Sequence, residues 1–243
     1  MKLRLDQALV QRGLAASRSK AQDLIRRGAV SADGVIVRKT GLEVRADQPL
    51  HVLESEHYVA RSAWKLRAAL DAFRFCAEGR ACLDIGASTG GFTQLLLERG
   101  AARVFAVDVG RNQLHASLRE DPRIVCMEST DARSLRPGTL PAPIEAITCD
   151  VSFISLLKVL PVILPLAGEK AWLAALIKPQ FEVGRGAVGK GGIVKSEAAK
   201  REAVERVLEC IAAAGWEVRG TLRSPILGQD GNEETLAGAT RQA

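Results

Sequence analysis

Four residues lying far apart in the chain, Lys65, Asp150, Lys178 and Glu234, are of types that could act together in one reaction. Each sits in a short run that looks built to hold it. Lys65 is within Arg61-Ser62-Ala63-Trp64-Lys65-Leu66, Asp150 follows the strand-like run Ile144 to Cys149, Lys178 follows the apolar run Trp172 to Ile177, and Glu234 follows Gly231-Asn232-Glu233. Two lysines set between two carboxylates can keep one amine neutral enough to take a proton from an alcohol. A second constellation gives that amine a reaction. Asp84-Ile85-Gly86-Ala87-Ser88-Thr89-Gly90-Gly91-Phe92 places an acid at a strand end and a glycine loop after it, an arrangement suited to S-adenosylmethionine. Together the two sets point to methyl transfer onto a hydroxyl.

These residues need a scaffold, and the pattern from residue 60 onward supplies one. The spacing predicts strands at Ala81 to Ile85, Arg103 to Val107, Ile124 to Met127, Ile144 to Cys149 and Trp172 to Ile177. Helices are expected at Phe92 to Arg99, at Asn112 to Arg119, at Ile154 to Leu166 with proline breaks, and at Ser196 to Ala214. Two final strands, Trp216 to Leu222 and Thr235 to Thr240, have no helix between them and should pair antiparallel at one edge. The chain ends soon after, so the last strand is expected to be short or frayed. Strands alternating with helices make a parallel sheet wrapped on both faces. The expected fold is α/β, a class I (Rossmann-like) methyltransferase, with a small N-terminal α+β RNA-binding domain.

The strand ends carry further acids. Asp84 can order the loop Gly86, Ser88, Gly90, Gly91 and meet the amino-acid end of the cofactor directly or through water. Asp108, after the second strand, can accept both ribose hydroxyls. Asp131, after the third, could accept from the adenine amine. A competing motif, Gly184-Arg185-Gly186-Ala187-Val188-Gly189-Lys190, has the spacing of a phosphate loop. Gly191 stands where a magnesium-binding Ser or Thr is needed, and Ile193-Val194 follow in place of a helix. A mobile loop over the substrate is the better reading.

The 243 residues divide at about residue 58: 1–58 form a small unit with a linker at its end, and 59–243 form the catalytic domain. Residues 1–40 hold nine Lys or Arg against three Asp or Glu, while 41–243 hold 25 of each, so the whole excess of +6 sits at the N-terminus. There Leu5, Leu9 and Val10 have helical spacing with Gly13 as a stop, Ser17 can cap a second helix, and Gly28 ends it. Asp33-Gly34 is the turn of a hairpin, and Val44, Leu50 and Val52 could add strands. Arg4, Arg18, Lys20, Arg26 and Arg27 give this unit a cationic face suited to a polyanion such as RNA. A solvated helix face or a small packing domain are the alternatives. The segment from His51 to Ala60 is a linker, with Tyr58-Val59 able to dock. The five cysteines form no C-x-x-C pair, and Cys82 and Cys149 lie in strands, as buried thiols of a reducing cytosol would. No metal site is expected. The longest apolar stretch, Ile154 to Ala167, is interrupted by Lys158, Pro161 and Pro165 and is too short for a bilayer.

The N-terminal residues Arg4-Leu5-Asp6, Arg12-Gly13, Ser17-Arg18-Ser19, Ile25-Arg26, Gly28, Val30, Gly34 and Lys39 resemble the S-four-type (alpha-L) RNA-binding motif. The stretches Cys82 to Thr93, Asp150 to Leu156, Lys178-Pro179-Gln180-Phe181-Glu182 and Ser224-Pro225-Ile226 with Gly231 to Glu234 resemble FtsJ-like ribose 2'-O-methyltransferases. The combination is similar to the TlyA family, also labelled hemolysin-like, across essentially the whole chain. The resemblance implies a cytoplasmic enzyme that uses S-adenosylmethionine to methylate a cytidine ribose of ribosomal RNA, with ribosomal RNA or ribosomal subunits as partner. It implies Lys65, Asp150, Lys178 and Glu234 as the catalytic set, with Lys178 as proton acceptor. Glu233 could replace Glu234, but family register favours Glu234. A neighbouring Lys65 and burial would make Lys178 easier to deprotonate, while Asp150 and Glu234 pull the other way. Glu56-His57-Tyr58-Val59 lacks the basic and tryptophan character of some relatives. Two other readings stand beside this one: an RNA-binding ribosome-assembly factor with little catalysis, and a membrane-lytic hemolysin, for which no apolar span or insertion segment is found.

The charge distribution generates a first test. RNA binding should weaken steeply with salt, and Arg18→Ala or Arg26→Ala should each lower the salt slope by about one if the side chain contacts a phosphate. Filter binding over a salt series, with the 1–58 deletion as the limiting case, measures it. An unchanged slope in the deletion removes RNA binding from this segment.

Overall fold

The N-terminal elements are short because each ends at a residue that stops it. The computed structural model describes residues 2–33, 35–52, 58–140, 143–228 and 230–242, and the side chains of Arg27, Arg185 and Lys190 lie outside the described set. Strand β1 (Lys2–Arg4) runs directly into helix α1 (Leu5–Gln11), which buries Leu5, Ala8 and Leu9. Helix α2 (Arg18–Arg27) opens where Ser17 Oγ accepts from the Lys20 amide at 3.2 Å, and it closes at Gly28 in the left-handed region, φ +73°. Strands β2 (Val30–Ala32) and β3 (Val35–Ile36) pair antiparallel. The turn residue Gly34 lies outside the described residues. Strand β4 (Glu43–Arg45) pairs with β1, and β5 (Leu50–Val52) with β2. Leu5, Leu9, Leu24, Ile25, Val30, Val44 and Leu50 form a core of their own. The pairing of β1 with β4 was not expected, because three residues against a helix start carry no readable alternation. Tyr58 and Val59 do dock: the Tyr58 ring meets Trp64 edge-on at 5.4 Å, and the Val59 amide donates to Gln94 Oε1 at 2.8 Å. Glu56 and His57 of the expected linker lie outside the described residues.

Helix α3 (Ala63–Phe73) opens the second part of the chain. Then follow β6 (Ala81–Ile85), α4 (Gly91–Glu98), β7 (Arg103–Val107), α5 (Ala116–Arg119), β8 (Ile124–Met127), β9 (Ile144–Cys149), α6 (Leu156–Ile163), β10 (Ala167–Ile177), α7 (Pro179–Glu182), α8 (Glu197–Ala213), β11 (Trp216–Arg223) and β12 (Thr235–Arg241). The sheet order is β11-β12-β10-β9-β6-β7-β8. Strands β8, β7, β6, β9 and β10 are parallel, and β12 is antiparallel to both β10 and β11. Strand order reverses between β6 and β9, so the crevice beyond their carboxyl ends is the natural ligand position.

Alternate residues of the strands feed two cores, as a sheet covered on both faces requires. Leu83, Ile85, Ile147 and Leu173 pack with α6 and α8, while Cys82, Val104, Ala146 and Trp172 pack with α3 and α4. Cys82 and Cys149 are fully buried, and burial pushes the Cys82 thiol up to about 12. Helix α6 follows the proline pattern: Ser155 Oγ caps it by accepting from Leu157 N, Pro161 lies inside, and the chain tightens into a 3-10 turn at Leu164–Leu166.

Three expectations need correction. Residues 112–115 are not helical. Asn112 adopts φ +54°, and Glu128 accepts the backbone amides of Asn112, Gln113 and Leu114, which leaves only Ala116–Arg119 to wind as α5. Helix α3 was missed although Ala63, Leu66 and Leu70 show its i, i+3, i+7 spacing, and they are buried on it. The last strand is neither short nor frayed: all seven residues of β12 pair with β11, and six of them, Thr235 to Thr240, also pair with β10.

Gly238 on β12 shows why that strand is built of small residues. A Cβ there would lie 2.6 Å from Phe73 Cδ2 and 2.7 Å from Cγ, at the base of the ring. Gly238→Ala should therefore lower stability by about 1–3 kcal/mol through overpacking. Urea denaturation checks this; a midpoint equal to the unsubstituted protein's would mean that α3 and β12 can separate at no cost.

Candidate active site

The loop after β6 owes its shape to packing as much as to any ligand. Gly86 has φ +83°, and a Cβ there would stand 2.4 Å from the Asp150 carbonyl oxygen, so the β6 loop lies directly on the end of β9. A Cβ on Gly90 would strike Leu118 at 2.3 Å, and one on Gly91 would strike Ser62 Oγ at the same distance. The glycines expected to admit a cofactor thus also admit α5 and the start of α3. Ser88 takes φ +49°, and its amide donates to Asp108 Oδ2 at 2.8 Å, while Gly110 N donates to Asp108 Oδ1 at 2.7 Å.

Asp84 is fully buried and faces neither cleft described below. Thr93 Oγ1 donates to its Oδ2 at 2.6 Å and Thr148 Oγ1 to its Oδ1 at 2.9 Å, so it joins β6 to α4 and β9. The direct contact with a ligand expected of it is replaced by an anchoring position. Burial pushes its carboxyl up to about 6, against the two threonine hydrogen bonds.

Two adjoining clefts open at the carboxyl edge of the sheet. One is lined by Lys65, Ser88, Asp150, Lys178 and Glu234, with Arg61, Ile226, Leu227 and Asp230 among its walls. The other is lined by Val107, Asp108, Val109, Asp131, Arg133 and Ile154. Both share Gly86, Ser88, Asp150, Ser152, Phe153, Gln180 and Phe181, so the two form one continuous depression. Asp131 stands in the second cleft with its carboxylate forked onto Arg133, at 2.6 Å from the guanidinium NH2.

The four distant residues do meet, as two separate ion pairs rather than as one mixed cluster. Lys65 Nζ lies 2.5 Å from Glu234 Oε2, with the side chains 10% and 2% exposed. Lys178 Nζ lies 2.6 Å from Asp150 Oδ1, at 11% and 13% exposure. That second contact lacks hydrogen-bond geometry, and Asp150 Oδ1 has no hydrogen-bond donor; the amine donates to Ser152 Oγ at 2.9 Å. Burial raises the Glu234 carboxyl, opposed by the charge of Lys65. Position supports Glu234 over its neighbour: Glu233 pairs with Lys200 at 3.1 Å and with Arg223, on the side of α8 and β11.

Several residues at the site lie in the stretches that carry the family resemblance but had no role assigned from the sequence. Ser152 is one. Phe153 is another: it is 92% exposed at φ +64°, and its ring lies 5.3 Å from that of Phe181, which makes an aromatic shelf at the mouth of both clefts. Gln180 Oε1 is buried without a hydrogen-bond partner. Glu182 accepts from Ser155 Oγ at 2.6 Å and from Leu156 N at 2.7 Å, so it fixes α7 against the start of α6. The phosphate-loop spacing at 184–190 folds as two 3-10 turns, Arg185–Ala187 and Lys190–Gly192, with no helix behind it.

In the N-terminal part, Asp6 is fully buried and gathers the expected RNA contacts Arg4 and Arg18. Arg4 bonds it through two nitrogens at 3.1 Å each, Arg18 Nε at 3.1 Å and Gln22 Nε2 at 2.8 Å. Lys20 and Arg26 are exposed on α2, and the side chain of Arg27 lies outside the described residues.

Residues 58–241 match the FtsJ-like methyltransferase family, and residues 3–49 match the S4 domain. The chain is 46% identical over 233 residues to the 16S/23S rRNA (cytidine-2'-O)-methyltransferase TlyA of Mycobacterium tuberculosis, covering 95% of this chain and 87% of that protein. It is 39% identical over 236 residues to hemolysin A of Brachyspira hyodysenteriae, covering 97% and 98%. The solved structure of a hemolysin candidate from Streptococcus thermophilus superposes with a TM-score of 0.76 at 36% identity, over 99% of this chain and 89% of that one.

The buried Asp84 sets a pH test with a definite sign. Its folded pKa lies above the ordinary 3.8, so its contribution to stability is fully present below pH 4 and is lost as pH rises through about 6. The loss is of the order of 3 kcal/mol. Asp84→Asn should flatten that part of the stability curve, read as the difference between the two proteins in urea unfolding from pH 4 to 7. Parallel curves would mean that the carboxyl is not strained by burial.

Proposed function

The chain belongs to the FtsJ-like methyltransferase family, and from that premise we propose that it moves a methyl group from S-adenosylmethionine to the ribose 2'-hydroxyl of a cytidine in ribosomal RNA. The observation that carries the reading is the convergence of two lysine–carboxylate pairs on a cleft continuous with one that has apolar walls and an acid, Asp108, at its strand end. Val107, Val109 and Ile154 give that second cleft apolar walls, and Asp108 stands at its strand end to accept a diol. Asp131 reaches an adenine amine only by sharing its carboxylate with Arg133. Gly86, Ser88, Gly90 and Gly91 shape the loop between the two parts. S-adenosylmethionine supplies a methyl already activated by its sulfonium.

A ribose hydroxyl is a poor nucleophile, so the protein's work is to remove its proton and aim its oxygen. Lys178 takes that proton. Asp150 and Ser152 hold the amine at the junction of the clefts. Lys65 and Glu234 form the opposite wall as a charge-balanced pair, which leaves Lys178 facing no uncompensated carboxylate from that side. The Phe153–Phe181 shelf offers a face on which an unstacked base can rest.

Residues 1–58 are the RNA-binding unit of this reading and 59–243 the catalytic one. Arg4 and Arg18, oriented by Asp6, are its fixed contacts, and Lys20, Arg26 and Arg27 add charge along α2. The name hemolysin on a relative does not favour lysis here. No described helix is long and apolar enough to cross a membrane, and two lysine–carboxylate pairs gathered at one cleft are what proton transfer calls for and lysis or passive RNA binding does not.

The test is the proton. Lys178→Ala should abolish methyl transfer to ribosomal RNA while leaving calorimetric affinity for S-adenosylmethionine near that of the unsubstituted protein. Lys178→Arg keeps the charge but cannot shed a proton, and should be equally inactive. Near-normal single-turnover rates in the arginine variant would show that the residue acts by charge, and the assignment as base would fall.

A further inference from the structure

The glycine-rich run Gly184 to Gly192, rejected as a phosphate loop, is fastened to the active-site wall by one side chain that the reaction as described does not use. Asn232 is 1% exposed. Its Nδ2 donates to the Gly192 carbonyl at 2.8 Å, and its Oδ1 accepts from the Val194 amide at 2.9 Å. A carboxamide places a donating NH2 and an accepting oxygen side by side, and here both meet the backbone where the chain leaves the Lys190–Gly192 turn. Val194 is itself buried, and Gly189 N donates to Ile193 O at 3.0 Å, so the segment arrives at Asn232 already folded.

What this contact joins gives it meaning. On one side is the stretch that leaves β10 at Lys178 and reaches α8. On the other is the connection between β11 and β12, which supplies Ile226, Leu227, Asp230 and Glu234 to the cleft. That connection is closed at its base by Ser224 N donating to Glu234 O at 2.9 Å, and nearer its tip by Gly228 N donating to Asn232 O at 2.9 Å. A Cβ on Gly228 would lie 2.7 Å from Glu234 Oε1, so the tip packs directly on the carboxylate. Asn232 therefore stands two residues before Glu234 and ties its backbone to the segment that begins at Lys178.

We propose that Asn232 is a positioning residue for methyl transfer: it clasps residues 192–194 and thereby holds the Lys65–Glu234 pair at a fixed distance from Lys178 across the cleft. The proposal rests on the methyltransferase reading above. It separates Asn232 from residues that bind the cofactor, because none of its contacts lies in the cleft lined by Asp108 and Asp131.

The experiment uses the full chain, S-adenosylmethionine and ribosomal RNA. Asn232→Ala should slow single-turnover transfer by about tenfold to a hundredfold, the scale on which misplacement of about 1 Å acts. Cofactor affinity and the RNA concentration at half-maximal rate should stay within about twofold, since only the step after binding is touched. Hydrogen exchange at the Val194 amide should accelerate in the same variant. Asn232→Asp keeps the acceptor for Val194 and loses the donor to Gly192, so it should fall between the two, and it carries the test if the alanine variant does not fold. A full transfer rate with faster exchange at Val194 overturns the positioning role, and so does loss of cofactor affinity in step with rate. Unchanged exchange at Val194 overturns the clasp itself. If the unsubstituted protein methylates no ribosomal RNA, the failure belongs to the functional reading, and the exchange measurement alone then decides the clasp.

Discussion

The cleft depends on how two parallel strands are held side by side at their carboxyl ends. Strands β6 and β9 are neighbours in the sheet but leave it toward opposite flanks, and a crevice opens where they part. Asp84 keeps them in register there. One of its oxygens takes a hydroxyl from β9 and the other a hydroxyl from α4, so a single buried carboxylate ties strand, neighbouring strand and following helix together. The Gly86 backbone then rests on the Asp150 carbonyl. Asp150 stands at the lip of the crevice because of that contact, and Lys178 meets it from the next strand. The energetic cost of burying Asp84 is accepted at the point where the sheet would otherwise be free to spread.

The two ion pairs are poorly explained as a source of stability. Burying a lysine and a carboxylate together gains about as much as it loses in hydration. Lys65–Glu234 has good hydrogen-bond geometry and is nearly sealed, while Lys178–Asp150 is close but misaligned and shares its amine with Ser152. The first pair resembles a settled structural contact. The second leaves an acceptor on Asp150 unfilled and an amine held at the seam of both clefts. The asymmetry sets the two pairs apart: one lysine is bonded to its carboxylate away from the second cleft, and the other is held at the seam of both clefts by a serine hydroxyl beside a misaligned carboxylate.

Much of this was legible in the sequence, and the misses have physical causes. The strands were clear because both faces of the sheet are covered, which produces the unbroken apolar run Trp172 to Ile177 and the mostly apolar run Ile144 to Cys149. Ser17 and Gly28 marked the ends of α2 by capping chemistry alone. Asn112 to Leu114 looked helical and is not, because a carboxylate fourteen to sixteen residues away, Glu128, takes their amides. Local propensity carries no information about such a partner. The four site residues could be named singly, but their division into pairs could not, since it depends on Lys65 lying on α3, Lys178 following β10 and Glu234 standing just before β12, on the other side of β10 from β9. Phe153 and Ser152 were hidden for a similar reason: they lie in an irregular turn whose value is set by what faces it.

The direction of β12 has a practical consequence. In a parallel strand the residue at the ligand edge is the last one, and the chain must turn there before continuing. Because β12 runs the other way, Glu234 enters at the ligand edge just before its first residue and Arg241 leaves at the opposite edge, where its guanidinium reaches the Ala167 carbonyl. Arg241 thus stands some seven residues of extended strand, about 20 Å, from the lysines. A fluorescent label carried at Arg241 would therefore sit across the sheet from the Lys65 and Lys178 ammonium groups.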